Sequence, residues 1–408
     1  MLNPQPFLVM LAILAGHFGL WLLLFNRVNA TGIDRRAIKR IEKGFILAAL
    51  LIPIFIFVIA SKSIGDWLST ADRWWPTGSG WFTAWGGLSL ATAAVAGPLW
   101  LFSRRHLIPP VHLLKQSSQH YDVAESFQDS LILDKRFGRC AKLPFNQITQ
   151  LDVTRKELQL PRAVAGVDGL KIGHLSDIHL TGKISQDYYH FAIDRLLEDN
   201  PDLIVIAGDI IDYARCLPWL QPLFKRLQAP LGCSYVLGNH DRRLSDIVPL
   251  VSQLQQLGFH DLGQTDQHIR LPSGANLWLT GNELPWFERH TAKPASNSPN
   301  SLIPNERLPN ELRIGVSHSP DQIGWARRQQ LDLMLAGHTH GGQIRIPWVG
   351  PLVAPSYYGS QFASGVFYLN PTLMHVSRGL SGVHPFRWFC PPEISILTLR
   401  NPAIRDRV

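Results

Sequence analysis

Cysteine is scarce in this chain: four residues among 408, and none of them (Cys140, Cys216, Cys233, Cys390) stands in a Cys-x-x-Cys pair. That excludes a disulfide framework and a cysteine zinc cluster, and predicts free buried thiols in a reducing compartment. Charge is scarce as well, at 17% Asp, Glu, Lys and Arg, and acids are the rarer sign, 31 against 39 basic residues for a net +8. The basic excess forms no cluster near the chemistry-bearing motifs, so no nucleic-acid partner is expected. Much of it flanks apolar runs near the N-terminus, as orienting charges of a membrane protein do.

Three runs lack Asp, Glu, Lys and Arg altogether: Phe7 to Phe25, where only His17 is polar, then Phe45 to Ala60 and Trp81 to Phe102. A spanning helix needs ~20 mostly apolar residues, so the first and third fit and the second, at 16, is short. The first run has no basic segment before it and no small-residue cleavage site after it, which argues against a signal peptide. Three membrane helices are expected, with two plus an interfacial helix as the alternative. The loop after the first run carries Arg27, Arg35, Arg36, Lys39, Arg40 and Lys43 against Asp34 and Glu42, and Arg104-Arg105 follow the third. The positive-inside rule then puts the N-terminus outside and everything after residue 103 in the cytoplasm, a multi-pass arrangement of the bacterial inner-membrane kind. Arg35-Arg36 also reads as a twin-arginine export signal, which would place the later residues outside, but it stands behind another apolar run.

A chain of this length exceeds one ordinary core. Residues 1–103 are expected to form the membrane region, 104–148 a juxtamembrane connector and 149–408 the main folded domain, which the motifs below mark as catalytic. The connector, broken by Pro109-Pro110 and without sustained periodicity, reads either as short interfacial helices or as a packed extension of the domain after it. From Leu151 the pattern becomes regular. Leu151 to Thr154 and Leu158 to Leu160 alternate as an edge strand would, and Leu170 to Leu175 is a strand. Ser185 is a predicted N-cap for a helix closed by Asn200-Pro201, with further helices near Trp219 to Leu227 and Ser245 to Leu257. Strands are expected over 203–207, 234–237, 277–281, 373–376 and 394–399. This alternation is the grammar of an α/β fold. Residues 288–310, with Pro294, Pro299, Pro304 and Pro309 among Ser and Asn, read as a surface insertion, a solvated loop or a lid.

Each strand-like run delivers ligand-type residues at its end. Asp177 and His179 stand in Ser176-Asp177-Ile178-His179, and Asp209 and Asp212 in Gly208-Asp209-Ile210-Ile211-Asp212. Asn239, His240 and Asp241 stand in Gly238-Asn239-His240-Asp241, His318 in Ser317-His318-Ser319, and His338 and His340 in Gly337-His338-Thr339-His340. Any one is a weak signal, since two donors two residues apart are often a satisfied surface pair. Five in order are a strong one.

The series D-x-H, G-D-x-x-D, G-N-H-D, H, G-H-x-H resembles the calcineurin-like metallophosphoesterases, over roughly Leu151 to Leu399. The resemblance implies a four-layer αββα sandwich, preceded here by the membrane helices, and two divalent ions (Mn, Fe or Zn) that together activate a bridging water against a phosphoester. Carried over residue by residue, the first ion would take Asp177, His179, Asp209 and His340. The second would take Asp209, Asn239, His318 and His338, so that Asp209 bridges. His240 would protonate the leaving oxygen or steady phosphate charge, Asp241 would orient it, and Asp212 would stand behind the ligands.

His174, His190, His260, His268, His290, His375 and His384 lack ligand context and read as structural. Arg378 reads either as a phosphate contact or as an ion pair. The anchoring points to a lipid or lipid-linked phosphodiester or pyrophosphate. One branch of the family cleaves the pyrophosphate of UDP-2,3-diacylglucosamine, but its commoner form carries Arg where His240 stands. A nuclease predicts a basic, aromatic groove that the motifs do not show, and a catalytically retired scaffold should have lost some ligands.

Overall fold

The computed structural model describes residues 4–70, 74–75, 78–103, 110–127, 131–288, 307–308 and 310–402. The insertion expected over 288–310 lies almost entirely outside the described residues, as do His290 and Arg104-Arg105. The chain divides into two compact units, 1–108 with 357–361, and 109–356 with 362–408.

The first unit contains α1 (Gln5–Asn29), α2 (Arg35–Ile59), α3 (Ser61–Thr70) and α4 (Gly80–Ser103). Of these, α1, α2 and α4 are long and apolar enough to cross a membrane. The second run falls short in sequence because its helix does not begin where its apolar residues do. Asp34 caps α2, its carboxylate accepting from Arg36 N and Ala37 N, and the basic segment supplies the first turns of a 25-residue helix. α3 is an element the sequence did not announce. Ile13, Ile56, Trp67 and Phe82 pack in the interior of this bundle. His17 uses both ring nitrogens, with Nε2 3.0 Å from Ala49 O and Nδ1 accepting from Trp85 Nε1 at 3.0 Å. It ties three helices together.

The second unit begins with β1 (Leu113–Asp122), α5 (Val123–Phe127), α6 (Lys135–Ala141) and β2 (Gln150–Gln159). β1 pairs antiparallel with the whole of β2. Of the two readings of the connector, the packed extension agrees with the described residues, since the stretch carries a sheet strand in place of short interfacial helices, and β2 is not an edge. There follow β3 (Lys171–Leu175), α7 (Gln186–Leu197), β4 (Leu203–Ala207), α8 (Leu220–Phe224), β5 (Cys233–Val236), α9 (Val248–Gln256), β6 (Phe259–Asp261), β7 (Gln267–Arg270) and β8 (Asn276–Asn282). Then come β9 (Glu311–Ser317), α10 (Ile323–Arg328), β10 (Leu333–Ala336), the short pair β11 (Arg345–Ile346) and β12 (Gly350–Pro351), and β13 (Gly365–Leu369), β14 (Thr372–Val376) and β15 (Glu393–Arg400). Ser185 caps α7 through Asp187 N, as its position predicts. The helix expected near Trp219 is a 3-10 turn, Ala214–Trp219 with Pro218 inside it, followed by the short α8, Leu220–Phe224.

Seven strands form one sheet in the order β1-β2-β15-β3-β4-β5-β6, and six form a second, β13-β14-β10-β9-β8-β7. Ile172, Val205 and Leu397 from the first meet Leu277, Ile314 and Leu335 from the second in one apolar layer between the sheets. α7, α8 and α9 cover the outer face of the first sheet, and α10 covers that of the second. This is the four-layer αββα arrangement. The second sheet was not legible in pattern alone, since buried parallel strands read as continuous apolar runs whichever sheet they join.

A candidate metal centre at the strand ends

Parallel pairing brings the motifs together. Leu175 is in register with Ile206, and Ala207 with Val236, so the turns after β3, β4 and β5 lie side by side. In the second sheet Leu335 pairs with Val316, which aligns His318 with the Gly337–His340 turn. Asp177, His179, Asp209, His338 and His340 all have positive φ, between 48° and 71°. That left-handed conformation is costly for residues with a Cβ, and its concentration at five ligand-type positions is backbone strain held by the surrounding sheets. The glycines beside them permit close approach. A Cβ on Gly238 would stand 2.2 Å from Asp209 Oδ1, and one on Gly337 2.5 Å from Asp177 Oδ2.

The donor atoms converge as two sets. In the first, His179 Nε2 lies 3.1 Å from His340 Nε2, His340 Nε2 3.3 Å from Asp177 Oδ1, and His179 Nε2 3.5 Å from Asp209 Oδ2. In the second, His318 Nε2 lies 3.1 Å from Asn239 Oδ1, 3.2 Å from His338 Nδ1 and 3.2 Å from Asp209 Oδ2. Ligands held ~2.1 Å from one cation at angles near 90–110° stand ~3.0–3.4 Å apart, so both sets have coordination spacing. Asp209 Oδ2 belongs to both. The mixture of imidazole, carboxylate and one amide oxygen suits Mn, Fe or Zn.

Further contacts orient the donors. Nδ1 of His179 donates to Asp212 Oδ2 at 2.7 Å, and Nδ1 of His318 to Ala207 O at 2.8 Å, which leaves each Nε2 lone pair facing inward. His340 Nδ1 accepts from Arg387 at 3.0 Å. The other oxygen of Asp209 accepts from His240 N at 2.7 Å, and Asp177 accepts from His338 N. Burial raises the Asp177 carboxyl from its ordinary value. Burial opposes ionisation of Asp209 too, but the His318, His240 and His179 imidazoles hold it well below the usual carboxylate range. A buried acidic centre of this kind is completed by cations.

His240 is placed differently from what the sequence suggests. Its Nδ1 donates to Asp212 Oδ1 at 2.5 Å, and its Nε2 accepts from Arg243 at 2.6 Å. Burial pulls it down to about 4, so it is neutral near pH 7. Asp241 does not orient it. The Asp241 carboxylate accepts from the backbone N–H groups of Ile210, Ile211 and Gly238, tying two of the motif turns together, and Asp212 takes the orienting place. Burial, then the Asp209 charge, pushes Asp241 up to about 7 against those donors.

Of the histidines read as structural, His174 and His375 meet at 2.8 Å between the sheets, where Lys156 bonds His375 and pairs with Glu393 at 2.5 Å. Arg378 lies in ion pairs with Asp152 and Glu393, at 2.8 and 2.9 Å, so it is an internal tie. All four cysteines are free, and three are buried, while Cys140 is only half-buried. Three residues beside the donors escaped the sequence reading. Arg243 follows Gly238–Asp241 closely enough to have been suspected. Arg387, 47 residues from His340, and Trp286, whose ring lies 4.7 Å from that of His338, carry no sequence signal.

Residues 170–342 match the calcineurin-like phosphoesterase family. The metallophosphoesterase YkuE of Bacillus subtilis is 30% identical over 269 residues, covering 65% of this chain and 90% of that protein. The UDP-2,3-diacylglucosamine pyrophosphatase LpxG of Chlamydia muridarum is 27% identical, covering 60% of this chain and 88% of its own. The phosphodiesterase YaeI of Escherichia coli is 29% identical, covering 56% and 82%. With its two stacked sheets and the ligand turns at their strand ends, this chain belongs to the calcineurin-like metallophosphoesterase family. It is a metal-dependent phosphoric ester hydrolase.

Proposed function

We propose that the protein is a membrane-anchored phosphodiesterase or pyrophosphatase with two divalent ions, acting on a lipid or lipid-linked substrate at the cytoplasmic face of a bacterial inner membrane. The observation that carries the reading is Asp209 Oδ2, shared at 3.5 and 3.2 Å between the two donor sets. Three membrane-length helices in the same chain, the basic first loop and the relative that acts on a diacylated sugar nucleotide support the lipid substrate and the orientation.

Asp177, His179, Asp209 and His340 would hold one ion, and Asp209, Asn239, His318 and His338 the other. When bound, the pair supplies Lewis acidity and a water of lowered pKa. The chain's own groups do the rest. His240, neutral and fixed by Asp212, accepts at Nε2 from Arg243, whose guanidinium also donates to Asp212, so the pair holds a cation beside the donor sets that can meet phosphoryl charge as it builds. The branch that carries Arg at the position of His240 thus has a counterpart here in Arg243, reached from one turn further on. Trp286 walls the second set against water.

The test is hydrolysis by the full chain in mild detergent with Mn, comparing wild type with Asp209→Ala. Bis-p-nitrophenyl phosphate, p-nitrophenyl phosphate and a diacylated sugar nucleotide in mixed micelles are the substrates. Diester or pyrophosphate cleavage that Asp209→Ala abolishes is expected, with a higher kcat/KM on the micellar substrate. A monoester preference, or equal rates from micellar and soluble diesters, would remove the lipid reading.

A further inference from the structure

Beside the donor turns lies a surface that the chemistry does not explain. Backbone segments 145–147, 343–346 and 387–389 run side by side: Trp388 N bonds Gln343 O, Arg345 N bonds Trp388 O, and Gln147 N bonds Arg387 O. Their outward side chains are apolar. Phe145 and Phe389 stack with ring centroids 5.8 Å apart in the open, and Ile344 and Ile346 are exposed next to them. From Ile346 the chain turns back through Pro347 and Trp348, closed by Val349 N on Ile346 O at 3.1 Å.

Trp348 is the informative residue. It is 100% exposed, and its φ is +60°. A turn needing positive φ at that place favours Gly or Asn, and a large aromatic there gains nothing from packing inside the fold. Neither local conformation nor burial accounts for a tryptophan at the tip, so its partner lies outside the protein.

Charge identifies the partner. From Leu333 to Pro392 the sequence contains no Asp or Glu, and none occurs from Lys135 to Leu151. The three apolar segments lie within these acid-free stretches. α6, just ahead of Phe145, exposes Lys135, Arg136 and Arg139, with Lys142 following. Exposed aromatics and aliphatics bordered by Lys135, Arg136, Arg139 and Lys142, against the single Asp134 that caps α6, fit an anionic bilayer, where tryptophan settles at the headgroup level and each nearby cation adds attraction. The membrane-length helices belong to the same chain, so they tether the catalytic unit to a bilayer.

We infer that the Phe145, Ile344, Ile346, Trp348 and Phe389 face docks the catalytic unit into an anionic lipid surface, with Trp348 entering the headgroup layer and the metal-ligand turn held at the bilayer. His340 lies four residues before Ile344, and its backbone carbonyl accepts from Gln343 N. A lipid-linked phosphoester would then meet the centre without leaving the membrane. This deepens the lipid-substrate reading and rests on it for its purpose, but not for its test.

The full chain in a Cys140→Ser background, which leaves buried cysteines alone, is labelled with bimane at Trp348→Cys. A control label is placed at Gln228→Cys, exposed ahead of β5 at the opposite end of the strands. Both are reconstituted in nanodiscs carrying doxyl-labelled lipid. Quenching at 348 at least twofold above that at 228 is expected with anionic lipid. It should fall by half or more in zwitterionic lipid or with Lys135→Glu and Arg139→Glu together. Equal quenching at 348 and 228, or energy transfer between two labelled chains in place of lipid quenching, overturns the proposal. Asp209→Ala should leave the quenching unchanged, so loss of activity and loss of docking are read separately.

Discussion

Among the described residues Arg387 is the largest fully buried side chain, and its replacement makes a demanding test of how the centre is held. Its guanidinium donates to Arg378 O at 2.6 Å, to His340 O at 3.1 Å, to Ser381 O, and to His340 Nδ1 at 3.0 Å. His340 O also accepts from Gln343 N, but among the described residues Arg378 O and Ser381 O have Arg387 as their donor. Arg387→Ala therefore strands two buried carbonyls, at ~1–3 kcal/mol each, and water admitted to the cavity recovers part of this, leaving a loss of about 2–4 kcal/mol. For a domain of this size that is a drop in Tm of roughly 5–10 °C. The same change frees the His340 ring, so the metal bound per chain should fall. Arg387→Lys should rescue little, because one ammonium cannot span the fork of acceptors. The assay is thermal unfolding of the full chain in detergent with metal content measured on the same sample. A Tm within 2 °C of wild type with undiminished metal would refute the reasoning.

Three further outcomes follow from the same geometry. Gly238→Ala places a methyl 2.2 Å from Asp209 Oδ1 and 2.5 Å from Asp209 N, so it should cost ~1–3 kcal/mol and most of the bound metal, whereas Gly382→Ala, whose Cβ meets only ordinary contacts near 3.6 Å, should be silent; equal metal content in the two variants would contradict this. Chelation should lower Tm by several degrees, since ions at ~100 times their Kd stabilise by about 2.7 kcal/mol per site, and an unchanged Tm would mean that no ion is bound. Burial brings His174 down to about 3 from 6.5 and lowers His375 in the same direction, so both stay neutral when folded and take up protons on unfolding below pH 6.5. Their contribution is complete above pH 6.5 and is lost as pH falls below it, for His174 by about 1.4 kcal/mol per pH unit down to about 3 and for His375 in the same direction. His174→Asn should flatten that slope between pH 6 and 4.5 in denaturant titrations, and an unaltered slope would exclude the assignment.

Much of the centre was legible because its ligands are local events. Asp177 with His179, and His338 with His340, are each two residues apart at a strand end, and such pairs survive any packing of the rest. The same holds for the Ser185 cap and for the apolar runs of α1 and α4, where propensity and burial agree. The role assigned to Asp241 failed for a different reason. Beside His240 in sequence, it points instead to backbone donors of the neighbouring turn, because side chains that are adjacent in a tight turn diverge.

What the sequence by itself determined is the set of short-range patterns: the membrane-length helices, the strand and helix grammar, and the order of five ligand motifs. Tertiary structure alone decided which distant residues share an environment. β1 covers β2 through pairing between residues some 30 to 45 positions apart. Arg387 reaches His340 across 47 positions, and Phe145 stacks on Phe389 across far more. Local propensity carries no trace of these contacts. They exist because two twisted sheets must bury their inner faces against each other, and that packing settles where every loop at the strand ends comes to rest.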